Sequence, residues 1–174
     1  MAEVQTLHEA LIDELKDLYN AETQLTKALP KMAKHASSKP LRQALTSHLR
    51  ETRTHVRRLE QAIRSLDEKV EGKLCNGMQG IIKEGNKVME EVEGGPVLDA
   101  CIIAGGQRAE HYEMAAYGTC IAWAQQMGHR EVVRLLTQTL NEEKAADKKL
   151  SKLAESGINA AADFGMTEEE EAMG

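Results

Sequence analysis

The sequence predicts an all-α protein made of four long helices and one shorter connecting helix. Three observations carry that expectation. Only one Trp, one Phe and three Tyr occur among 174 residues, and β-branched runs are few, so the chain packs with Leu, Ala, Ile and Met, as helices do. Apolar residues recur at alternating steps of three and four over long segments. Proline and glycine separate these segments at positions where helices start and stop. With 41% apolar and 29% charged residues, the chain reads as one globular domain with a sizeable core.

The first helix is expected from Thr6 to about Ser37, with Leu11, Leu15, Leu18, Glu22, Leu25, Leu29 and Met32 on one stripe. Pro30 should kink or locally break it, because proline removes a backbone donor and crowds the preceding turn. The second opens at Lys39-Pro40 and runs to about Glu68, its stripe reading Leu41, Leu45, His48, Thr52, His55, Leu59, Ala62 and Leu66. Residues 72–95 are richer in glycine. There Met78, Ile81, Ile82, Gly85, Val88, Met89 and Val92 still keep a helical period, which implies a connecting helix of about 18 residues, or roughly 27 Å.

The third long helix follows "GGP" at 94–96 and ends at Gly128, with Leu98, Ile102, Gly105, Ala109, Glu113, Ala116, Cys120 and Trp123 in register. Its paired Gly105-Gly106 costs helix stability, so a neighbouring backbone should approach closely there. The fourth runs from His129 to about Glu155 through Val133, Leu136, Leu140, Glu143, Asp147 and Leu150. The bundle should occupy residues 1–156, leaving 157–174, which ends "MTEEEEAMG", as an acidic, disordered tail. One long connection, between the second and third long helices, makes this the ferritin-like arrangement of a four-helix bundle.

Charge and cysteine usage exclude several function classes. A formal net charge of -6 argues against nucleic-acid binding through a general basic field. Arg50, Arg53, Arg57, Arg58 and Arg64 read as the solvated outer side of the second helix. Three cysteines, Cys75, Cys101 and Cys120, without CxxC spacing suggest neither a disulfide framework nor a cysteine zinc site, and read as small hydrophobes. No signal peptide precedes the first helix, and no apolar run approaches the roughly 18 residues of a membrane span. A cytoplasmic location, without nucleic-acid or membrane partners, is the resulting expectation.

The core stripes also carry the chemistry, since each long helix interrupts its apolar face at mid-length with a metal-ligating side chain. These are Glu22; Glu51 and His55, four apart on one face; Glu110 and Glu113; and Glu143 and Asp147, again four apart. Depth supports the grouping. Counted from a turn at Ser37, Glu22 lies 15 residues before and Glu51 14 after; counted from Gly128, Glu113 and Glu143 each lie 15 away, and Glu110 and Asp147 lie at 18 and 19. Buried acids demand positive charge, and carboxylates with imidazole suit two iron ions, with manganese or zinc as alternatives. The competing reading is a buried network with arginine or lysine. His55 is favoured as the histidine ligand because Glu51-His55 mirrors Glu143-Asp147; His48, on the same stripe, reads either as a core residue or as a support behind the ligands. Tyr19 and Tyr117, one turn from Glu22 and Glu113, read as core packing or as supporting hydroxyls.

The segments "YNAETQLTKALPKM", "SHLRETRTHVRRLE", "AEHYEMAAYGT" and "LNEEKAADKKL" resemble, in order over residues 6 to 155, the YciE/YciF group of bacterial ferritin-like proteins. That resemblance implies a dinuclear iron-type site, a homodimer and a stress context, without a settled reaction. The Glu-x-x-Glu of the third helix is similar to that of rubrerythrins, which reduce peroxides. Those proteins carry Glu-x-x-His on the second and fourth helices; here the histidine stands at the fourth step, and Asp147 replaces it on the fourth helix. The functional expectation is a di-metal oxidase or peroxidase acting on dioxygen or peroxide. The alternatives are iron binding or sequestration without turnover, and a structural metal site in an interaction protein.

Overall fold

Six backbone segments set the fold of the computed structural model, which describes residues 4–164. Helix α1 spans Leu7–His35, α2 Lys39–Arg64, α3 Asn76–Glu91, α4 Pro96–Gln126 and α5 Arg130–Leu153, and a π-helical turn follows at Ala154–Ile158. No strand occurs among the described residues. Each boundary has a local cause. Thr6 accepts from Glu9 N–H while Glu9 accepts from the Thr6 N–H, a reciprocal cap that starts α1. Ser38 caps α2 with Pro40 in its first turn, and the Cys75 thiol caps α3. Gly128, at φ 75°, makes the left-handed turn between α4 and α5.

Two short connections make antiparallel pairs of α1 with α2 and of α4 with α5, and the pairs close a four-helix bundle through α2 against α5 and α1 against α4. The connection from α2 to α4 carries α3, which lies on α4 and α1. Its entry is pinned to α1. The Asn20 side chain accepts from the Cys75 N–H at 2.9 Å, Gln24 donates to the Cys75 carbonyl at 3.1 Å, and Tyr112 on α4 donates to Asp17 at 2.9 Å while meeting Cys75 Sγ at 3.0 Å.

Apolar packing falls into two clusters. One half of the bundle is filled by Leu11, Leu15, Leu18, Leu59, Ile63, Tyr117 and Leu136, the other by Leu25, Leu29, Leu41, Leu45, Met78, Ile102 and Leu150. Between them lies a band of buried polar side chains: Glu22, His48, Thr52, His55, Glu110, Glu113, Thr139 and Glu143.

Four expectations change. Helix α1 continues through Pro30 to His35 instead of breaking. Helix α2 stops at Arg64, where Ser65 begins a turn that takes Asp67 to φ 59°. The expected tail is helical over 159–164, beyond a kink at Gly157; its remainder lies outside the described residues. The Gly105-Gly106 pair divides in role. A Cβ at Gly106 would lie 3.1 Å from Leu150 Cδ1, whereas one at Gly105 meets nothing within 4 Å. Cys75 and Cys120 are buried, Cys101 is partly exposed, and all three are free thiols. No described helix is long and apolar enough to cross a membrane.

Asp99, in the first turn of α4 and 3% exposed, ties the two hairpins together by accepting from the Ser37 and Ser38 N–H groups at 2.7 Å each. Asp99→Ala leaves both donors without that partner and is expected to lower unfolding free energy by about 2–4 kcal/mol, measured by urea denaturation. Asp99→Asn, which keeps one acceptor oxygen, should lose less.

Candidate metal centre

The inward line of α2 runs Leu41, Leu45, His48, Thr52, His55, Leu59, and these residues are all buried. Both histidines therefore point into the polar band. Helix α1 contributes Glu22, α4 contributes Glu110 and Glu113, and α5 contributes Glu143; Glu110 is 3% exposed and the other three are 0% exposed. Two groups of potential ligand atoms, each within 4.8 Å of one another, result: Glu22, His55 and Glu143, and His48, Glu110 and Glu143. Glu143 belongs to both.

In the first group, His55 Nδ1 lies 3.2 Å from Glu22 Oε1 and 2.9 Å from Glu143 Oε1. In the second, His48 Nε2 lies 3.0 Å from Glu110 Oε1 and 3.7 Å from Glu143 Oε2. Tyr117, fully buried, donates its hydroxyl to Glu22 Oε1 at 2.5 Å. Even so, Glu22 Oε2, Glu110 Oε2 and both oxygens of Glu113 and Glu143 have no hydrogen-bond partner. The contact from His55 to Glu143 is close but misaligned for a hydrogen bond, so it leaves that oxygen available.

Such a cluster holds protons when no cation is present. Burial pushes Glu113 well above the usual carboxylate range, and the charges of Glu22, Glu143 and Glu110 push it further. Burial also raises Glu143, to about 8, against the lowering effect of His55. For His55 burial acts downward, but the Glu143 and Glu22 carboxylates outweigh it and bring the imidazole to about 10. Burial likewise depresses His48, and Glu110 and Glu51 more than reverse it.

Outside the cluster, His55 Nε2 meets Glu142 Oε2 at 2.8 Å, and Arg58 grips the same carboxylate through Nη1 at 2.5 Å and Nη2 at 2.9 Å. This fork holds the imidazole with Nδ1 facing inward. Sequence reasoning missed Glu142, because one residue from Glu143 is a 100° rotation and no periodic signal marks it. It also took Arg58 only as part of a solvated face.

Glu22, His55, Glu110, Glu113 and Glu143 of the expected ligands are brought together. Glu51 and Asp147 are not. The Glu51 side chain is 45% exposed and touches His48 Nδ1 at 3.4 Å from the solvent side, while His48 itself, the less favoured of the two histidines in the sequence, stands in the cluster beside His55. Thr52, not Glu51, occupies the inward line. Asp147 accepts from Gln107 at 3.0 Å and meets the exposed His111 at 3.3 Å, since the inward line of α5 passes through Thr139, Glu143 and Leu150. Tyr117 supports Glu22 from behind, but the Tyr19 hydroxyl meets Glu60 at 3.4 Å, away from the cluster.

The family model described as Domain of unknown function (DUF892) matches residues 6–163. The chain belongs to this family. Within the DUF892 group it is 42% identical over 161 residues to Protein YciF of Escherichia coli strain K12, covering 92% of this chain and 97% of that protein. The crystal structure of the E. coli stress protein YciF matches with a TM-score of 0.86 at 43% identity, over 90% of this chain and 99% of that one. YcfI of Rhodopseudomonas palustris, described as a structural protein, matches at 48% identity and a TM-score of 0.84, over 86% and 96% of the two chains. A Xanthomonas campestris protein, 18% identical with a TM-score of 0.69, shares the fold. The five residues of the two His/Glu groups, and Glu113, lie inside the DUF892 span.

Because Glu143 titrates near 8 and His55 near 10 in the cation-free protein, both carry protons at pH 7 that a metal must displace. Calorimetric titration with Fe(II) or Mn(II) in buffers of different ionisation enthalpy is expected to show proton release. Apparent affinity should rise with pH across the range from 7 to 9, and fall as acid restores the protons.

Proposed function

We propose that this chain is a stress-associated ferritin-like protein with a dinuclear carboxylate- and histidine-bound metal centre, iron or mixed iron and manganese, that reacts with dioxygen or peroxide. One observation carries the reading: six unpaired oxygens on four buried glutamates converge at mid-bundle. Two imidazolium rings offset half the charge of four carboxylates, whereas two divalent ions offset all of it. The competing arginine or lysine network finds no support, since among the described residues Arg58 pairs with Glu142 and no ion pair joins an arginine or lysine to Glu22, Glu110, Glu113 or Glu143.

Glu22 and His55 would hold one ion and His48 and Glu110 the other, with Glu143 shared; Glu113, in neither group, is buried close enough to feel the charges of Glu22, Glu143 and Glu110. Oxygen ligands joined by imidazole favour iron, manganese or zinc over magnesium and calcium. A pair of iron or manganese ions, unlike zinc, would supply two one-electron oxidations between the II and III states. This chain's own residues exclude bulk water, keep the His55 imidazole oriented through Glu142 and Arg58, and offer the Tyr117 hydroxyl as a donor at Glu22. Kinship with a protein described as a stress protein is consistent with an oxidant as the partner. The relative described as structural keeps a second reading in view, in which the ions only staple the helices.

Protein from a host supplied with iron and manganese is expected to hold about two metals per chain by elemental analysis. Glu143→Ala should lose most of both. Glu51→Ala should keep the metal, with affinity reduced about tenfold, because it loses only a support for His48. Fewer than one metal in the unaltered chain would sink the dinuclear reading. Adding peroxide to the Fe(II)-loaded protein should change its near-ultraviolet and visible absorption; an unchanged spectrum, with unfolding on chelation, would favour the structural reading.

A further inference from the structure

Next to the carboxylate cluster, the half of the core nearer the α1–α2 turn contains a cavity of about 170 Å³ with walls from all five helices. Small side chains widen it: Ala28, Ala44 and Ala109 stand where a bundle core ordinarily carries larger residues, and the half-buried Gly105 and Ala146 line its more open side. At Gly105 the space is open, since an added Cβ meets nothing within 4 Å. Most of the remaining wall is aliphatic, including Leu25, Leu29, Leu45, Ile102 and Leu150. One end is polar. His48 and Glu110 line it, and Glu110 Oε2 is buried without a hydrogen-bond partner.

A dry apolar cavity of about 150 Å³ is large enough to hold benzene. The acids Glu51, Glu110 and Glu142 outnumber the bases His48 and Lys149 on the wall, which disfavours an anionic occupant, and the unpaired Glu110 oxygen asks for a donor.

We propose that this cavity binds a small neutral molecule with an aryl or short alkyl body and a terminal O–H, of the alcohol or organic hydroperoxide class, which donates to Glu110 Oε2. As a statement about substrate selection it rests on the peroxide-reactive reading of the centre, because the O–H end lies beside His48 and Glu110. Binding itself does not depend on that reading.

The test is binding of benzyl alcohol to the full-length protein as purified, followed by ligand-observed NMR, with metal content measured in the same samples. Gly105→Leu projects a side chain into the open space and should weaken binding at least tenfold, while Gly80→Leu, at an exposed position on α3 outside the cavity, should leave it unchanged. Anisole, an isomer without the hydroxyl proton, should bind more weakly although it is the more apolar of the two. Displacement of benzyl alcohol by both tert-butanol and tert-butyl hydroperoxide supports the O–H class as a whole; displacement by the hydroperoxide alone shows a preference for peroxides within that class.

No saturable binding, equal binding by Gly105→Leu, or displacement by neither competitor overturns the proposal. Anisole binding as tightly as benzyl alcohol overturns the role of the hydroxyl. Metal without benzyl alcohol binding would defeat this inference and leave the proposed centre standing; Gly105-dependent binding without metal would do the reverse.

Discussion

Four glutamates buried at the middle of a helical bundle are the constraint on which the rest of the structure depends. A carboxylate removed from water costs several kcal/mol unless something positive or proton-donating meets it. Here Glu22, Glu110, Glu113 and Glu143 come from three different helices, and the histidines that face them come from the fourth. Their approach is enforced by the two apolar clusters on either side of the polar band. Folding the chain therefore assembles a site that wants cations, and cations in that site would favour the folded chain.

Supports around the site are charged where they meet solvent and neutral where they are buried. Glu142 is held in its charged form chiefly by Arg58, which keeps it fixed against His55 at the edge of the cluster. Tyr117, deeply buried, stays protonated because burial and the neighbouring acids raise it well above the usual range, so it remains a donor to Glu22. Asp99 plays a different part at the end of the bundle, where its two backbone contacts join the α1–α2 turn to the start of α4. That joint sets how the two hairpins sit, and hence how Glu22 and His55 approach Glu110 and Glu143.

The two halves of the core are not equivalent. The half holding Leu11, Leu15, Tyr117 and Leu136 combines large side chains with Ala62, Ala116 and Ala124. In the other, alanine and glycine leave space beside His48 and Glu110. Gly106 is needed because Leu150 packs over it, while Gly105 opens on the cavity, so one sequence signal covers two different physical situations. Residues on the partly open side, such as Ile81, Ile82 and Met89 of α3, roof this space.

Periodicity alone located the helices, the crossover and the mid-bundle acids, because a buried stripe must repeat every three to four residues whatever it packs against. The inward line of α2 was legible too: Thr52 stands on it and Glu51 does not. Four-residue spacing from His55 and Glu143, supported by depth from the turns, drew Glu51 and Asp147 into the expected set; depth fixes height along a helix but not rotation about it, and a four-residue step drifts about 40° around the helix. Only the packed structure settled rotation, because the supports that orient each helix, Arg58 on Glu142 and Gln107 on Asp147, are single contacts between residues 84 and 40 positions apart. Such contacts leave no periodic trace in a sequence, and they place His48 among the acids and turn Glu51 outward.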